Sequence, residues 1–292
     1  MVLRRLTSVG LLVVVLAAAA AALVFHLHGG HWFVVTTSSM GRAAPVGTLV
    51  LTEPTRASLP LEVGDVVSFR PPGSPDTVYT HRVASVEAQG IRTSGDTTGA
   101  IDPWLLADGD VVGRAVALLP GLGWALRAAP WLALGALAIW AVSSRIADPA
   151  RRAASRVLLG CLLVSVVAAV QRPFVGVDLL STTADETGAA AVHVVSTGLA
   201  PVRVQADGGG HVDLVSGAVG SASLPDVSGV VDITTTLHLA PGGWIVVALI
   251  CFSPLLWTLG VGLPNGDLAG PPPAAEATPP RGTSWARAEE AR

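Results

Sequence analysis

The sequence predicts a membrane protein with a mostly β outer domain, about four transmembrane helices and a second, smaller β-rich outer region. Three observations predict it. The 292-residue chain is 51% hydrophobic and 13% charged, with a mean hydropathy of +0.59, too apolar for an ordinary soluble domain. Four stretches approach the roughly 20 apolar residues that a bilayer-crossing helix needs. Between them lie runs of alternating polar and apolar residues punctuated by Gly and Pro, the pattern of short strands.

The first span, residues 11–25, is rich in Val and Ala and follows Arg4 and Arg5. It has the look of a secretory signal, but His26, Leu27 and His28 make a poor small-residue cleavage site, so it is read as a retained anchor. The second span lies within residues 128–146. The third, 157–170, is short unless Arg156 and Gln171 snorkel, and the fourth is 244–263. Arginine placement sets the orientation. The stretch "SSRIADPARRAASR" (143–156) carries Arg145, Arg151, Arg152 and Arg156 against Asp148 alone, which makes it cytoplasmic together with the Arg4–Arg5 end.

The chain then divides in order. Residues 1–26 are a cytoplasmic end and anchor, and 27–120 an extracytoplasmic β domain. Residues 121–171 are two transmembrane helices around a basic cytoplasmic loop. Residues 172–241 form the second β-rich extracytoplasmic region, 242–263 the last span, and 264–292, with "GPPPAAEATPPRG", a disordered cytoplasmic tail. The expected location is a cell membrane, multi-pass. Cys161 and Cys251 fall in spans and read as small apolar filler, and neither outer region holds a cysteine to form a disulfide. The net charge of −3 gives no sign of a nucleic-acid partner.

In the first outer region, "TLVLTEP" (48–54), "VGDVVSFRPP" (63–72), "TVYTHRVASVEAQG" (77–90) and "DVVGRAVALLP" (110–120) read as strands. In the third run Val78, His81, Val83 and Val86 are the residues set between polar neighbours. The stretch "TTSSMGRAAPVG" (36–47) stands between the anchor and these strands. A serine hydroxyl is a weak nucleophile at neutral pH and needs a nearby base. All 18 basic residues are arginines, so a Ser-Lys pair is impossible. The histidines of this region are His26, His28 and His31 by the anchor, and His81 in "THRV". Taken alone, His81 reads as an ordinary strand histidine in preference to a base. "TSGDTTGAIDPW" supplies Asp96 and Asp102, either as turn formers or as acids that orient an imidazole. "HLHGGH" has His-x-His-x-x-His spacing. It reads as a solvated interfacial cluster in preference to a metal site, so no metal or cofactor is expected.

The ordered set of anchor, Ser-Met, "GDVVSF", "THRV", "SGD" and a second Asp six residues on resembles the type I signal peptidases. The resemblance is to the archaeal and endoplasmic-reticulum-like branch, in which histidine replaces a lysine base, and it covers roughly residues 10–125. It implies Ser39, immediately before Met40, as nucleophile and His81 as base. It implies Thr37 at the position of a hydroxyl that helps bind the oxyanion. It implies Asp102 as the triad acid, with Asp96 as a structural or assisting acid of the catalytic set. Signal-peptide-bearing precursors and membrane lipid are the implied partners. Two departures from the family pattern bear on the cleft. Ser38 replaces a small Gly, and Gly41 and Arg42 follow Met40 where the family has Met-x-Pro, with Pro arriving only at Pro45.

The second outer region carries "AAVHVVSTG", "LAPVRVQA" and "VVDITTTLHL" and reads as a second β domain. It is either a packing module or a protein-partner surface over 172–241, with His193, His211 and His238 structural or solvent-facing. The competing reading of the whole chain is a non-catalytic, membrane-anchored envelope protein with two β domains. Whether Ser39, His81 and Asp102 meet in space decides between them.

Overall fold

The computed structural model describes residues 2–55, 60–172, 174–184, 190–206, 208–224 and 233–256. Helix α1 (Val2–Leu27) leads into a six-stranded β unit. Its strands are β1 (His31–Val34), β2 (Leu49–Glu53), β3 (Val66–Phe69), β4 (Tyr79–Glu87), β5 (Gly90–Ser94) and β6 (Val111–Leu119). A helical hairpin of α2 (Leu122–Ser143) and α3 (Pro149–Gln171) follows.

The hairpin helices are each long and apolar enough to cross a bilayer. Their apolar side chains face outward: Trp131, Leu134, Leu137, Trp140, Leu158 and Leu162 are all more than half exposed. In water a helix would turn such a face onto a core, so this surface suits lipid. Gly135 sits where any Cβ would lie 2.4 Å from Leu163 Cδ1, which lets the two helices approach closely. The basic loop is shorter than the sequence suggests. Pro149 at the first helical position and Asp148 as N-cap start α3 early, the Asp148 carboxylate accepting from the N–H groups of Ala150 and Arg151. Arg151, Arg152 and Arg156 therefore ride on the first turns of α3, and Arg156 donates back to Ser143 Oγ at 2.8 Å.

Two of the four expected spans thus meet the length and composition of a bilayer-crossing helix. In α1 the apolar run is Val13–Leu27, and α4 (Pro241–Cys251) has 11 residues. The part of the expected fourth span beyond residue 256, and the whole 264–292 tail, lie outside the described residues.

The first unit is one antiparallel sheet of order β1-β2-β6-β3-β4-β5. Each expected run forms a strand, and the sheet adds two, β1 and β5. Both were missed because "HWFV" follows the histidine cluster and "GIRTS" merges into the Gly-rich loop. Val67 and Phe69 of β3, Val83 of β4, Ile91 of β5 and Leu106 make the core. His81 and Val83 alternate inward on β4, so the His81 ring is seated on the core side, its centroid 6.0 Å from that of Phe69. Val86 falls beyond a register shift between Val83 and Ser85 and is exposed, which breaks the alternation read from sequence.

The second unit has strands β7 (Val177–Ala184), β8 (Ala190–Ser196), β9 (Val202–Ala206), β10 (His211–Leu214), β11 (Val219–Leu224) and β12 (Ile233–Leu237). They form two three-stranded sheets, β11-β8-β7 and β10-β9-β12. Val192 and Val194 of the first sheet and Val202 and Val204 of the second share one core, which makes a small sandwich. The runs read from sequence coincide with β8, β9 and β12, while β7, β10 and β11 lie outside them; β8 and β9 bury one face, whereas β12 is largely exposed. The histidines stay outside that core. His193 meets Thr183 at 3.1 Å, and His238 lies 3.8 Å from Asp213, whose carboxyl the Arg203 guanidinium holds down to about 2.

Candidate active site

Ser39 stands in the loop between β1 and β2. Met40 and Ala44 are fully buried and fix this loop to the unit, and Trp124 at the start of α2 donates from Nε1 to the Val46 carbonyl at 3.2 Å. Thr97 holds the loop on its other side. Its backbone N–H donates to the Ser39 carbonyl at 2.9 Å, and its hydroxyl donates to the Ser38 carbonyl.

His81 and Asp102 arrive from different elements. β4 presents His81, which is 7% exposed. Residues 101–106 fold back along β5 through the bridges Ser94–Ile101 and Ile91–Leu106, and the Asp102 N–H donates to the Thr93 carbonyl at 2.8 Å. The outcome is a line of polar atoms. Ser39 Oγ lies 3.0 Å from His81 Nε2, and His81 Nδ1 lies 2.7 Å from Asp102 Oδ2. An ionised carboxylate only accepts, so Nδ1 carries the hydrogen and Nε2 presents its lone pair to the serine hydroxyl. The same Asp102 oxygen accepts from the Thr93 hydroxyl at 2.6 Å. Thr37 Oγ1 lies 3.4 Å from Ser39 Oγ, beside the position where charge would develop.

Asp96 is used elsewhere. Both its oxygens are bound by Arg82, at 2.9 Å from Nε and 2.7 Å from Nη2, and Arg82 Nη1 donates to the Gly64 carbonyl at 2.8 Å. The hydrogen bonds to Asp96, opposed by burial and aided by the carboxylate charge, hold the Arg82 guanidinium above its ordinary value. Of the two roles open to Asp96, this pairing favours the structural one. It ties β4 to the loop after β5.

Sequence reasoning missed three residues here. Thr93 and Thr97 read as ordinary polar positions, although inward alternation along "GIRTS" marks Thr93 once β5 is recognised. Gly95 is set by close packing. A Cβ there would lie 2.8 Å from the Ser39 carbonyl oxygen, 3.3 Å from Ser39 Cβ and 3.4 Å from His81 Nε2. Gly95→Ala is therefore expected to displace Ser39 from His81 and to lower turnover by about 10- to 100-fold, since an error on the order of 1 Å costs about that much. A melting curve close to wild type alongside the rate loss checks that the effect is local, and an unchanged rate refutes it.

His26, His28 and His31 do not converge. His28 Nδ1 bonds the Val24 carbonyl at 2.8 Å, while His26 meets His31 only edge-on at 6.3 Å. Among the described residues no three His, Cys, Asp or Glu side chains are arranged to hold a metal ion.

A hydroxyl on one imidazole nitrogen and a carboxylate on the other is the geometry that serine-hydrolase chemistry uses. Residues 6–100 match the family model described as signal peptidase, peptidase S26. The matched segment is similar to a peptidase family and spans most of α1, Ser39, His81 and Asp96; it ends just before Asp102 and includes none of the second β unit. No curated protein matches the chain.

Proposed function

We propose that this chain is a membrane-anchored serine endopeptidase that removes signal peptides from exported precursors, with the Ser-His chemistry of the archaeal and endoplasmic-reticulum-like branch. The observation that carries the reading is the hydrogen-bonded line from Ser39 Oγ through His81 to Asp102, at 3.0 and 2.7 Å, in a chain without lysine. Ser39 Oγ attacks the scissile carbonyl carbon as its proton passes to His81 Nε2. The Thr37 hydroxyl and the Ser39 backbone N–H take the oxyanion, a contribution of about 3–4 kcal/mol per donor in sites of this kind. The Nε2 proton then goes to the departing amine as the C–N bond breaks. Water hydrolyses the acyl-serine by the same proton route in reverse. Asp102 holds the imidazole in the tautomer that each step requires.

The setting suits the substrate. A signal peptide has an apolar stretch followed closely by a small-residue site, and here Thr37 comes ten residues after the end of α1. The test is cleavage of a signal-peptide-bearing precursor by purified protein in detergent, with the new N-terminus sequenced. Cutting after a small residue supports the proposal, and no cleavage across a panel of precursors overturns it.

In the proposed topology α1, α2, α3 and the 244–263 segment cross the bilayer, with both β units outside and the α2–α3 turn inside. The arginines at that turn support it. Accessibility tags at residues 90 and 210 are expected on the same, extracytoplasmic side, and a tag at 146 on the other. Tags 90 and 210 on opposite sides would refute this arrangement.

A further inference from the structure

The second β unit touches the nucleophile loop. Ser38 Oγ donates to Asp178 Oδ2 on β7 at 3.0 Å, across 140 positions of sequence. Next to that contact, the turn between β10 and β11 rests on Gly41. Gly41 and Gly217 are both buried, with φ of +50° and +72°. A Cβ on Gly217 would lie 2.4 Å from the Gly41 carbonyl oxygen and 2.9 Å from Arg42 Cα. Backbone meets backbone there with no room for a side chain. The loop that carries Ser39 is thus gripped from two sides. Thr97 holds the Ser38 and Ser39 carbonyls from the first unit, and the second unit holds the Ser38 side chain and the Gly41 backbone.

We infer that the second β unit is a working part of the active site: Asp178 and the Gly217 turn clamp the nucleophile loop and set the position of Ser39, with Asp178 as a positioning residue. The inference rests on the reading of Ser39 as nucleophile. It accounts for the two places where the chain departs from the signal-peptidase pattern. Ser38 and Gly41 are the residues that the second unit contacts. Arg42 stands where Met-x-Pro would place a proline, so the loop lacks the fixed φ of that residue, and the external clamp supplies a restraint in its place. The restraint matters because Ser39 Oγ must stay within hydrogen-bonding reach of Nε2 while it attacks.

The experiment uses the full-length protein in detergent and compares wild type with Asp178→Ala, Ser38→Ala, their double variant, Asp178→Asn and Gly217→Ala. Two readouts are taken: kcat and KM on a signal-peptide substrate, and amide hydrogen exchange at Gly41 and Thr97, whose N–H groups donate to the Ser38 and Ser39 carbonyls at 3.0 and 2.9 Å. Asp178→Ala and Ser38→Ala should each lower kcat by about tenfold with KM within about twofold, because the clamp positions the nucleophile and not the substrate. The double variant should lose no more than either single one. Asp178→Asn keeps an oxygen that accepts from Ser38 and should recover most of the rate. Gly217→Ala should reproduce the fall in kcat from the other contact. Exchange at Gly41 and Thr97 should accelerate in Asp178→Ala while β8 to β11 stay protected. If β8 to β11 lose protection, Ser38→Ala decides, since it leaves the second unit intact. Wild-type kcat in both Asp178→Ala and Ser38→Ala, additive losses in the double variant, or unchanged exchange at the loop would each overturn the clamp. If the wild type itself cleaves nothing, the peptidase reading fails, and the exchange measurements still judge the clamp alone.

Discussion

Ser39→Ala is expected to abolish precursor cleavage, with a loss on the order of 10⁵- to 10⁶-fold in kcat, while the protein still accumulates in the membrane. The change removes one partly exposed hydroxyl whose bonds are to His81 Nε2 at 3.0 Å and Thr37 at 3.4 Å, so little packing is disturbed. His81→Ala should lose a similar factor, and the double variant little more than either, because nucleophile and base act as one unit. His81→Ala is the less clean test. It empties a buried site packed against Phe69 and Tyr79 and leaves Asp102 without its imidazole partner, so stability falls as well. Rates with both variants on the same precursor decide the matter. Residual cleavage by Ser39→Ala close to wild type would end the serine-peptidase proposal.

The two aspartates should separate sharply. Asp102→Asn is expected to cost about 10³- to 10⁴-fold in kcat. An amide can donate to Nδ1 and so favours the tautomer with hydrogen on Nε2, which no longer accepts the Ser39 proton. The Thr93 hydroxyl, which bonds that same Oδ2 position, would turn to accept from the amide nitrogen in place of donating, so the fold should persist. Asp96→Asn should cost far less. It breaks a bidentate pair with Arg82, but that pair is partly solvent-exposed, at 37% and 25% for the two side chains, and is worth about 0–1 kcal/mol. Its effect should appear as a small drop in stability with kcat within about tenfold of wild type. Equal losses from the two substitutions would remove Asp102 from its proposed role.

The competing picture, an envelope protein with two β domains and no chemistry, predicts no convergence of Ser39, His81 and Asp102. Their hydrogen-bonded line speaks against it. It also changes how the second β unit is viewed. As a separate packing module it would have no reason to contact the serine loop, yet Asp178 and Gly217 both do.

By itself the sequence determined what local pattern encodes. Apolar runs marked α2 and α3, and alternation with Gly and Pro stops marked β2, β3, β4 and β6 and, in the second unit, β8, β9 and β12. These depend on periodicities of a few residues and on which face is buried, so they are written in neighbouring letters. The absence of lysine excluded one kind of base outright. The pairing of Ser39 with His81 and Asp102 was legible only through resemblance, since 42 and 21 positions separate the partners and no local rule brings them together. Tertiary structure alone decided the rest. Strand register put Thr93 under Asp102, and the fold-back of the loop after β5 gave Asp96 to Arg82. Close backbone approach required Gly95 and Gly217. The docking of one β unit on the other turned Ser38 and Gly41 from unexplained departures into contacts. Each of these follows from which surfaces meet once the sheets have formed, and that is fixed by packing across the whole chain and not by any short stretch of it.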